Sequence, residues 1–595
     1  SIHLILEHRI GDVWQSLYRL TRTLAVNDIL ERLDAMAAGI VRGHETSISE
    51  AKQWLDQCCK SHSKCGSNVA GGASTWYPTR LLHVMKDNGT EKMIVRLQNS
   101  NEEAPSGPYI TLSHRWGGTN PFRLTKDNMS ACLREINLDC LPKTFQDALK
   151  VCLDLKLHYL WIDSLCIIQD STEDWQSEAS SMQKVYQNGL LNISATSPRC
   201  LRDGLFFDRQ PEKLETLVYE IPEKPDNLVY RMPWEAEREE EENQRFFLQM
   251  YFNDQVDEGR YKEQMNELVN KAPLNKRGWV VQERFLSKRI LHFTSGSLVW
   301  ECNELQTWEK PWPSESSESL ESLNLIEREL IPIGTTYDKD KLHQLWMEVL
   351  KRYSSCGITL ASDKMIALSG VASAFQLLLD DEYYAGVWKS NYARQLCWRA
   401  ARSKRSYRPT PYRAPSWSWA SVEAQVEDID PYISSNLVEL IEIKTSLVSA
   451  DFKTGPVTSG SVTLSARLIP SGHWEPYIEP TKKHSSSSTA LPWAAPYKGG
   501  DILIYSRGES FTNVFPDDES DFDPQRMVIS YVPILSHVFM VSLAVCEVGE
   551  AALDSEPTTA VYRRVGVCEI HLRSGSPEER DKWLEPWPKT RITII

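Results

Sequence analysis

The sequence is short of features that would assign it quickly. No stretch approaches the roughly 18 apolar residues needed to cross a bilayer; the longest mostly apolar run is Val538 to Val545. Membrane insertion is therefore not expected. No charged segment followed by an apolar one marks a secretory leader, although the chain opens on Ser1, Ile2 and His3 rather than methionine, which leaves room for a targeting segment ahead of it. Concentrated positive charge is also missing. The formal charge is −15, and the one compact basic run is Arg402 to Arg408, so a nucleic-acid backbone is not the expected partner. No G-x-G-x-x-G follows a strand-like run, which disfavours a nucleotide held for reversible hydride transfer. No repeat recurs at a fixed period. The 13 cysteines are an ordinary number for 595 residues, and their odd count leaves at least one unpaired. We read them as reduced thiols of a cytoplasmic or nuclear protein.

Hydrophobic content of 41% and charged content of 25% are those of a folded globular protein. The length predicts about three to four structural units. The spacing of Leu17, Leu20, Leu24, Ile29, Leu30, Leu33 and Met36 predicts helices over the first 60 residues. That region ends in Cys58, Cys59, His62 and Cys65, residue types that bind zinc. Their spacing departs from paired C-x2-C knuckles, so a reduced, partly buried cysteine cluster is expected and a metal site is not. A Gly/Ser-rich linker, residues 66–74, follows.

From Trp76 the pattern changes to strands alternating with helices. Leu81 to Met85 and Met93 to Leu97 read as short strands around an Asp-Asn-Gly turn. Tyr109 to Leu112 is a buried strand that runs into Ser113, His114, Arg115, Trp116 and Gly117. Next comes an amphipathic helix with Thr144 as cap and Phe145, Leu149, Cys152 and Leu155 on one face. Leu160 to Ile168 reads as a second buried strand, interrupted by Asp163 and Ser164. Asp170 and Glu173 predict a helix starting near Ser171, on which Trp175, Ala179, Met182, Val185 and Tyr186 form an apolar stripe. Glu178 projects from the same side. A third strand ends near Thr196.

Strand, helix, strand, helix, strand implies an α/β fold with a parallel sheet. Ligands of such sheets bind outside the carboxyl ends of the strands. The expected ligand-binding set is therefore Ser113, His114, Arg115, Trp116, Gly117, Trp161, Asp163 and Cys166, around a small molecule. The charged stretch at about 209–272 reads as an acidic insertion. A helix carrying Glu283 and Arg284, secondary candidates for the site, then precedes a hairpin turning at Ser295 and Gly296. Leu342 to Leu379 is expected to be helical, Trp417 and Trp419 to be core, and the alternating runs beyond Leu447 to form an all-β domain. The resulting division is 1–75 (helical), 76–310 (α/β), 311–425 (helical extension) and 426–595 (β-rich).

The runs WLDQCCKSHSKC, PTRLLHV, YITLSHRWGG, the long segment from Leu141 to Ser197, RGWVVQERFLSKRILHF and APSWSWASV together resemble the fungal heterokaryon-incompatibility (HET) domain proteins. The resemblance covers roughly Trp54 to Val422. One departure is Ile168, where the family commonly has asparagine. HET domains have been likened to Toll/interleukin-1 receptor (TIR) domains, some of which hydrolyse NAD, so the resemblance implies a TIR-like, flavodoxin-like core. By position it makes Glu178 the catalytic carboxylate; the chemistry of the neighbouring residues suits Arg115 to the pyrophosphate and Trp116 or Trp161 to stacking on a ring. NAD is then a substrate, with no cofactor firmly bound, and the partners implied are a second copy of the chain or an activating protein. Two other readings remain: a non-enzymatic signalling module in which Glu178 pairs with Arg115 or Arg284, and a metabolic enzyme using Cys166 or His114 as catalyst.

Overall fold

The computed structural model describes residues 44–66, 76–117, 121–206, 265–309, 338–428, 435–470, 503–518, 528–551 and 559–595, apart from single positions and short loops within those spans. The acidic insertion lies outside the described residues up to position 264, as do the expected N-terminal helices before His44 and the linker after Gly66. The chain divides into two compact units that interleave along the sequence. The first comprises Ser1–Ser171, Asn188–Asn275 and Ser287–Glu329; the second comprises Thr172–Gln187, Lys276–Leu286 and Leu330–Ile595.

The first unit is built on an eight-stranded sheet: β1 (Arg80–Lys86), β2 (Met93–Asn99), β3 (Tyr109–Ser113), β4 (Tyr159–Trp161), β5 (Asn192–Ser194), β6 (Arg289–Phe293), β7 (Leu298–Cys302) and β8 (Gln306–Trp308), in the order β2-β1-β4-β3-β5-β6-β7-β8. The four central strands β4, β3, β5 and β6 are mutually parallel. Antiparallel pairs flank them, β1 with β2 and β4 on one side and β6 with β7 and β8 on the other. The sheet is thus mixed around a parallel core. β3, β4 and β5 are buried along their whole length, as parallel strands covered on both faces are. Helix α1 (His44–Ser61) precedes the sheet, and α2 (Lys143–Asp154) crosses from β3 to β4.

Two local expectations need correction. Thr144 does not cap α2: the helix starts one residue earlier, Pro142 is the flanking residue, and the Thr144 hydroxyl donates to the Leu201 carbonyl at 2.9 Å. The apolar run from Leu160 does not continue as a strand to Ile168. It ends at Trp161, because residues Asp163–Cys166 close a helical turn in which the Cys166 N–H reaches the Ile162 carbonyl at 2.8 Å. An apolar run of this length carries no period that separates strand from helical turn. The consequence is functional, since Asp163 now begins the turn directly beyond β4.

The second unit contains α3 (Thr172–Asn188, all but its last residue), α4 (Gly278–Leu286), α5 (Lys339–Ser355), α6 (Ile366–Leu379) and α7 (Pro577–Leu584). On α3, Glu178, Ala179, Met182, Val185 and Tyr186 are buried and Trp175 is half-buried, as the 3.6-residue period required. Helices α3, α4 and α6 come together at Gly370. Its N–H donates to Gln282 Oε1 at 2.8 Å, and a side chain there would meet Gln282 Oε1 at 2.7 Å and Gln183 Cβ at 3.0 Å. Phe285 stacks on Phe375 alongside, with ring centroids 5.8 Å apart. Trp417 and Trp419 are buried, in keeping with a core role.

The same unit holds an eleven-stranded sheet drawn from residues 435–594. Its main strands are β9 (Glu439–Leu447), β10 (Val457–Arg467), β11 (Leu503–Arg507), β12 (Ser510–Pro516), β13 (Ile529–Ser536), β14 (Met540–Ala551), β15 (Thr559–His571) and β16 (Lys589–Ile594). All its pairings are antiparallel except β15 with β16.

Candidate functional site

The order β4-β3-β5-β6 has a direct consequence. From β3 the chain first moves to one side, to β4, and then returns past β3 to β5 on the other. This is the reversal at which doubly wound sheets open a crevice beyond the carboxyl ends of their strands. In the first unit those ends carry Ser113 to Gly117 after β3, Asp163 after β4, Thr196 after β5, and His292 and Thr294 at the end of β6.

Asp163 is the hub of this edge. Its Oδ2 accepts the Trp116 indole N–H at 3.0 Å, its Oδ1 accepts the Ser164 N–H at 2.6 Å, and His114 Nε2 stands 3.5 Å from Oδ1. His114 is buried and meets Phe145 edge to face, with centroids 4.9 Å apart. Gln169 secures the turn from below, donating to the carbonyls of Asp163 and Ile167 at 3.2 and 3.0 Å. The Asp163 side chain keeps 27% of its surface exposed. One carboxylate is therefore held by neighbours on one side and open on the other.

Arg115 is half-buried, and among the described residues no carboxylate pairs with it. A cation at a structured polar edge suits a phosphate or carboxylate ligand. Gly117 turns the chain at φ +69°, and a side chain there would meet Cys200 Cβ at 3.2 Å. Only glycine takes that conformation at little cost. Trp116 is half-buried at the edge, whereas Trp161 and Cys166 are fully buried. The Cys166 carbonyl accepts from Arg80 Nε, at the start of β1, at 2.6 Å. Ser113 is buried too. The Asn192 side chain lies between two hydroxyls, its oxygen accepting from Ser113 Oγ at 2.9 Å and its nitrogen donating to Thr111 Oγ1 at 3.0 Å. Ser113 thus braces β3 against β5.

The remaining sequence candidates are carried by other elements. Glu178 on α3 and Glu283 on α4 are buried carboxylates of the second unit, with Arg284 half-buried beside Glu283. Cys58, His62 and Cys65 converge in the first unit, joined by Cys302; Cys59 is not among them.

Sequence reasoning missed a second polar chain in the first unit. His292 Nε2 lies 3.0 Å from Glu301 Oε2, His292 Nδ1 lies 3.1 Å from Thr196 Oγ1, and Thr196 Oγ1 lies 2.9 Å from Ser194 Oγ. All four residues are buried. The signal was present in RILHF and LVWEC, where His292 and Glu301 interrupt the apolar runs of a hairpin. Buried groups of that kind need partners. Ser194, its last member, is in register with Ser113, so this chain underlies the same strand edge.

A family model described as Heterokaryon incompatibility protein (HET) matches residues 109–283, from the first residue of β3 into α4. No curated protein and no solved structure matches the chain.

Proposed function

We propose that this chain, which carries a heterokaryon-incompatibility (HET) domain over residues 109–283, is an effector of fungal non-self recognition and cell death that binds NAD at the β3–β4 edge and hydrolyses it. The observation that carries the binding half is Arg115, a half-buried cation with no carboxylate partner among the described residues, at the same end of β3 from which the Trp116 indole N–H donates to the Asp163 carboxylate. Arg115 takes the pyrophosphate and Asp163 accepts from a ribose hydroxyl. The β4-β3-β5-β6 parallel order supports a TIR-like core for this domain.

For the cleavage, the family resemblance puts forward Glu178, a carboxylate on α3 of the second unit, and its role is tested separately from binding at the edge. As the nicotinamide–ribose bond breaks, its electron pair leaves with neutral nicotinamide, and the ribosyl carbon gains oxocarbenium character that an adjacent anion stabilises. Water then adds to that carbon and loses a proton, giving ADP-ribose. Incubation with NAD should release nicotinamide from the wild-type protein and at least a hundredfold more slowly from Glu178→Gln. Equal rates would remove Glu178 from the mechanism.

A second reading, a self-associating signalling module without catalysis, draws on α6, where Leu377 is 83% and Leu378 42% exposed. Light scattering on the wild type and on Leu377→Ser with Leu378→Ser separates it: this reading requires oligomers that the double variant loses.

A further inference from the structure

Cys58, His62, Cys65 and Cys302 each offer one ligand atom, and these four atoms lie within 4.8 Å of one another. We propose that they form a closed, structural zinc site of the Cys3His type. Tetrahedral zinc, with metal–sulfur distances near 2.3 Å and metal–nitrogen near 2.0 Å, places neighbouring ligand atoms about 3.5 to 3.8 Å apart. His62 Nδ1 is 3.3 Å from Cys302 Sγ, close to that edge. Thiolates together with imidazole select zinc over oxygen-preferring cations.

The local backbone explains how the ligands meet. Cys58 lies in the last turn of α1, and the His62 N–H still reaches the Cys58 carbonyl at 3.2 Å, so the pair shares one face of a helical path. A single 3-10 turn, Ser63–Cys65, then returns Cys65 to the same point, and Gly66 at φ +68° ends it. The fourth ligand comes from the end of β7. Cys302 Sγ accepts the Leu305 N–H at 3.2 Å, which stabilises sulfur as a thiolate. Asn303 Nδ2 donates to the Lys64 carbonyl at 3.1 Å, and Glu304 accepts from the Ser63 hydroxyl at 3.3 Å and from the Lys64 N–H. The two ligand-bearing turns are thereby clamped together.

Charge supplies an independent argument. Arg289 has no exposed surface, and its Nε donates to Cys58 Sγ at 3.1 Å. Its other donors reach the carbonyls of Leu190, Cys65 and Gly66. Among the described residues no carboxylate pairs with it. A buried guanidinium needs a counter-charge, and three thiolates with one divalent cation and a neutral imidazole carry −1, which balances it. The expectation of a simple cysteine cluster changes once Cys302 is counted.

The site is structural, because four protein ligands leave zinc no open position. Its place agrees. Cys302 pairs with Arg289 at the beginning of β6, so the cluster lies at the amino-terminal edge of the parallel strands, opposite Asp163 and Arg115. There it fastens α1 to β7, where Trp54 also meets Trp300 with centroids 6.4 Å apart. The proposal does not depend on any catalytic activity.

Elemental analysis of the full chain, purified from zinc-supplemented medium and desalted, tests it. About one zinc per chain is expected in the wild type and in Cys59→Ser, and less than one tenth in Cys302→Ser and His62→Ala. Where a variant fails to fold, the wild type still decides. Titration with a mercurial should release the zinc as three thiols react, and cobalt exchanged into the site should show thiolate charge transfer and tetrahedral ligand-field bands. A wild type with less than one tenth of an equivalent and no such cobalt spectrum overturns the site. Loss of zinc from Cys59→Ser equal to that from Cys302→Ser overturns the ligand assignment.

Discussion

Asp517 offers the sharpest stability prediction. Its carboxylate is 1% exposed and accepts two hydrogen bonds from Arg564, at 3.0 Å from Nε and 2.9 Å from Nη2, and a third from Arg408 Nη2 at 3.1 Å. Arg564 is wholly buried, donates also to the carbonyls of Leu396 and Trp398, and lies 3.7 Å from the centre of the Trp398 ring. Asp517→Ala removes the carboxylate and leaves Arg564 charged in a site from which it cannot reach water. Breaking a buried pair in this way costs about 3–5 kcal/mol. Arg408, with 16% of its side chain exposed, can reach solvent and adds little. For a unit of this size each kcal/mol lowers the melting temperature by roughly 2–4 °C, which predicts a fall of about 6–20 °C in the calorimetric transition of the second unit. Asp517→Leu combined with Arg564→Met should recover most of the loss, because neither charge remains. A loss below about 1 kcal/mol for Asp517→Ala, or a double variant as unstable as the single one, would refute the reasoning.

Three further outcomes follow from the same geometry. Burial lowers the Lys364 ammonium to about 8, against the opposing pull of Glu423 at 3.1 Å. Between pH 8 and the ordinary lysine range the unfolded chain holds a proton that the folded one has released, so Lys364 makes stability rise with pH there, by at most about 1.4 kcal/mol per unit; denaturant titrations should show that contribution in the wild type and its absence in Lys364→Met. Gly117→Ala forces a side chain into left-handed backbone against Cys200; a loss of about 1–2 kcal/mol is expected, with at least tenfold weaker NAD binding in calorimetry. Asp163→Asn keeps the shape of the edge but removes the charge facing His114 and Trp116, and should weaken NAD binding at least fivefold while its circular dichroism stays that of the wild type.

How much of this was legible depended on whether a residue's role is written locally. The stripe carrying Glu178 was readable because a helix repeats every 3.6 residues and the acid interrupts an apolar face. β3 was readable because a parallel strand buried on both sides is a continuous apolar run. The end of β4 was not, since the same run contains both a strand and a helical turn, and only the Cys166 to Ile162 hydrogen bond separates them. Cys302 was invisible for a different reason. Its partners stand more than two hundred positions earlier, and the register that puts it beside Arg289 is a property of the hairpin. The chain from Glu301 through His292 and Thr196 to Ser194 likewise joins three strands, and no spacing within one segment encodes it.

Calorimetric titration of the full chain with NAD reads out the ligand site at the β3–β4 edge. The account predicts saturable binding to the wild type and an affinity at least tenfold weaker for Arg115→Ala, whose side chain pairs with no carboxylate among the described residues and whose loss should leave the fold intact. No binding by the wild type, or equal affinity in the two proteins, would contradict it.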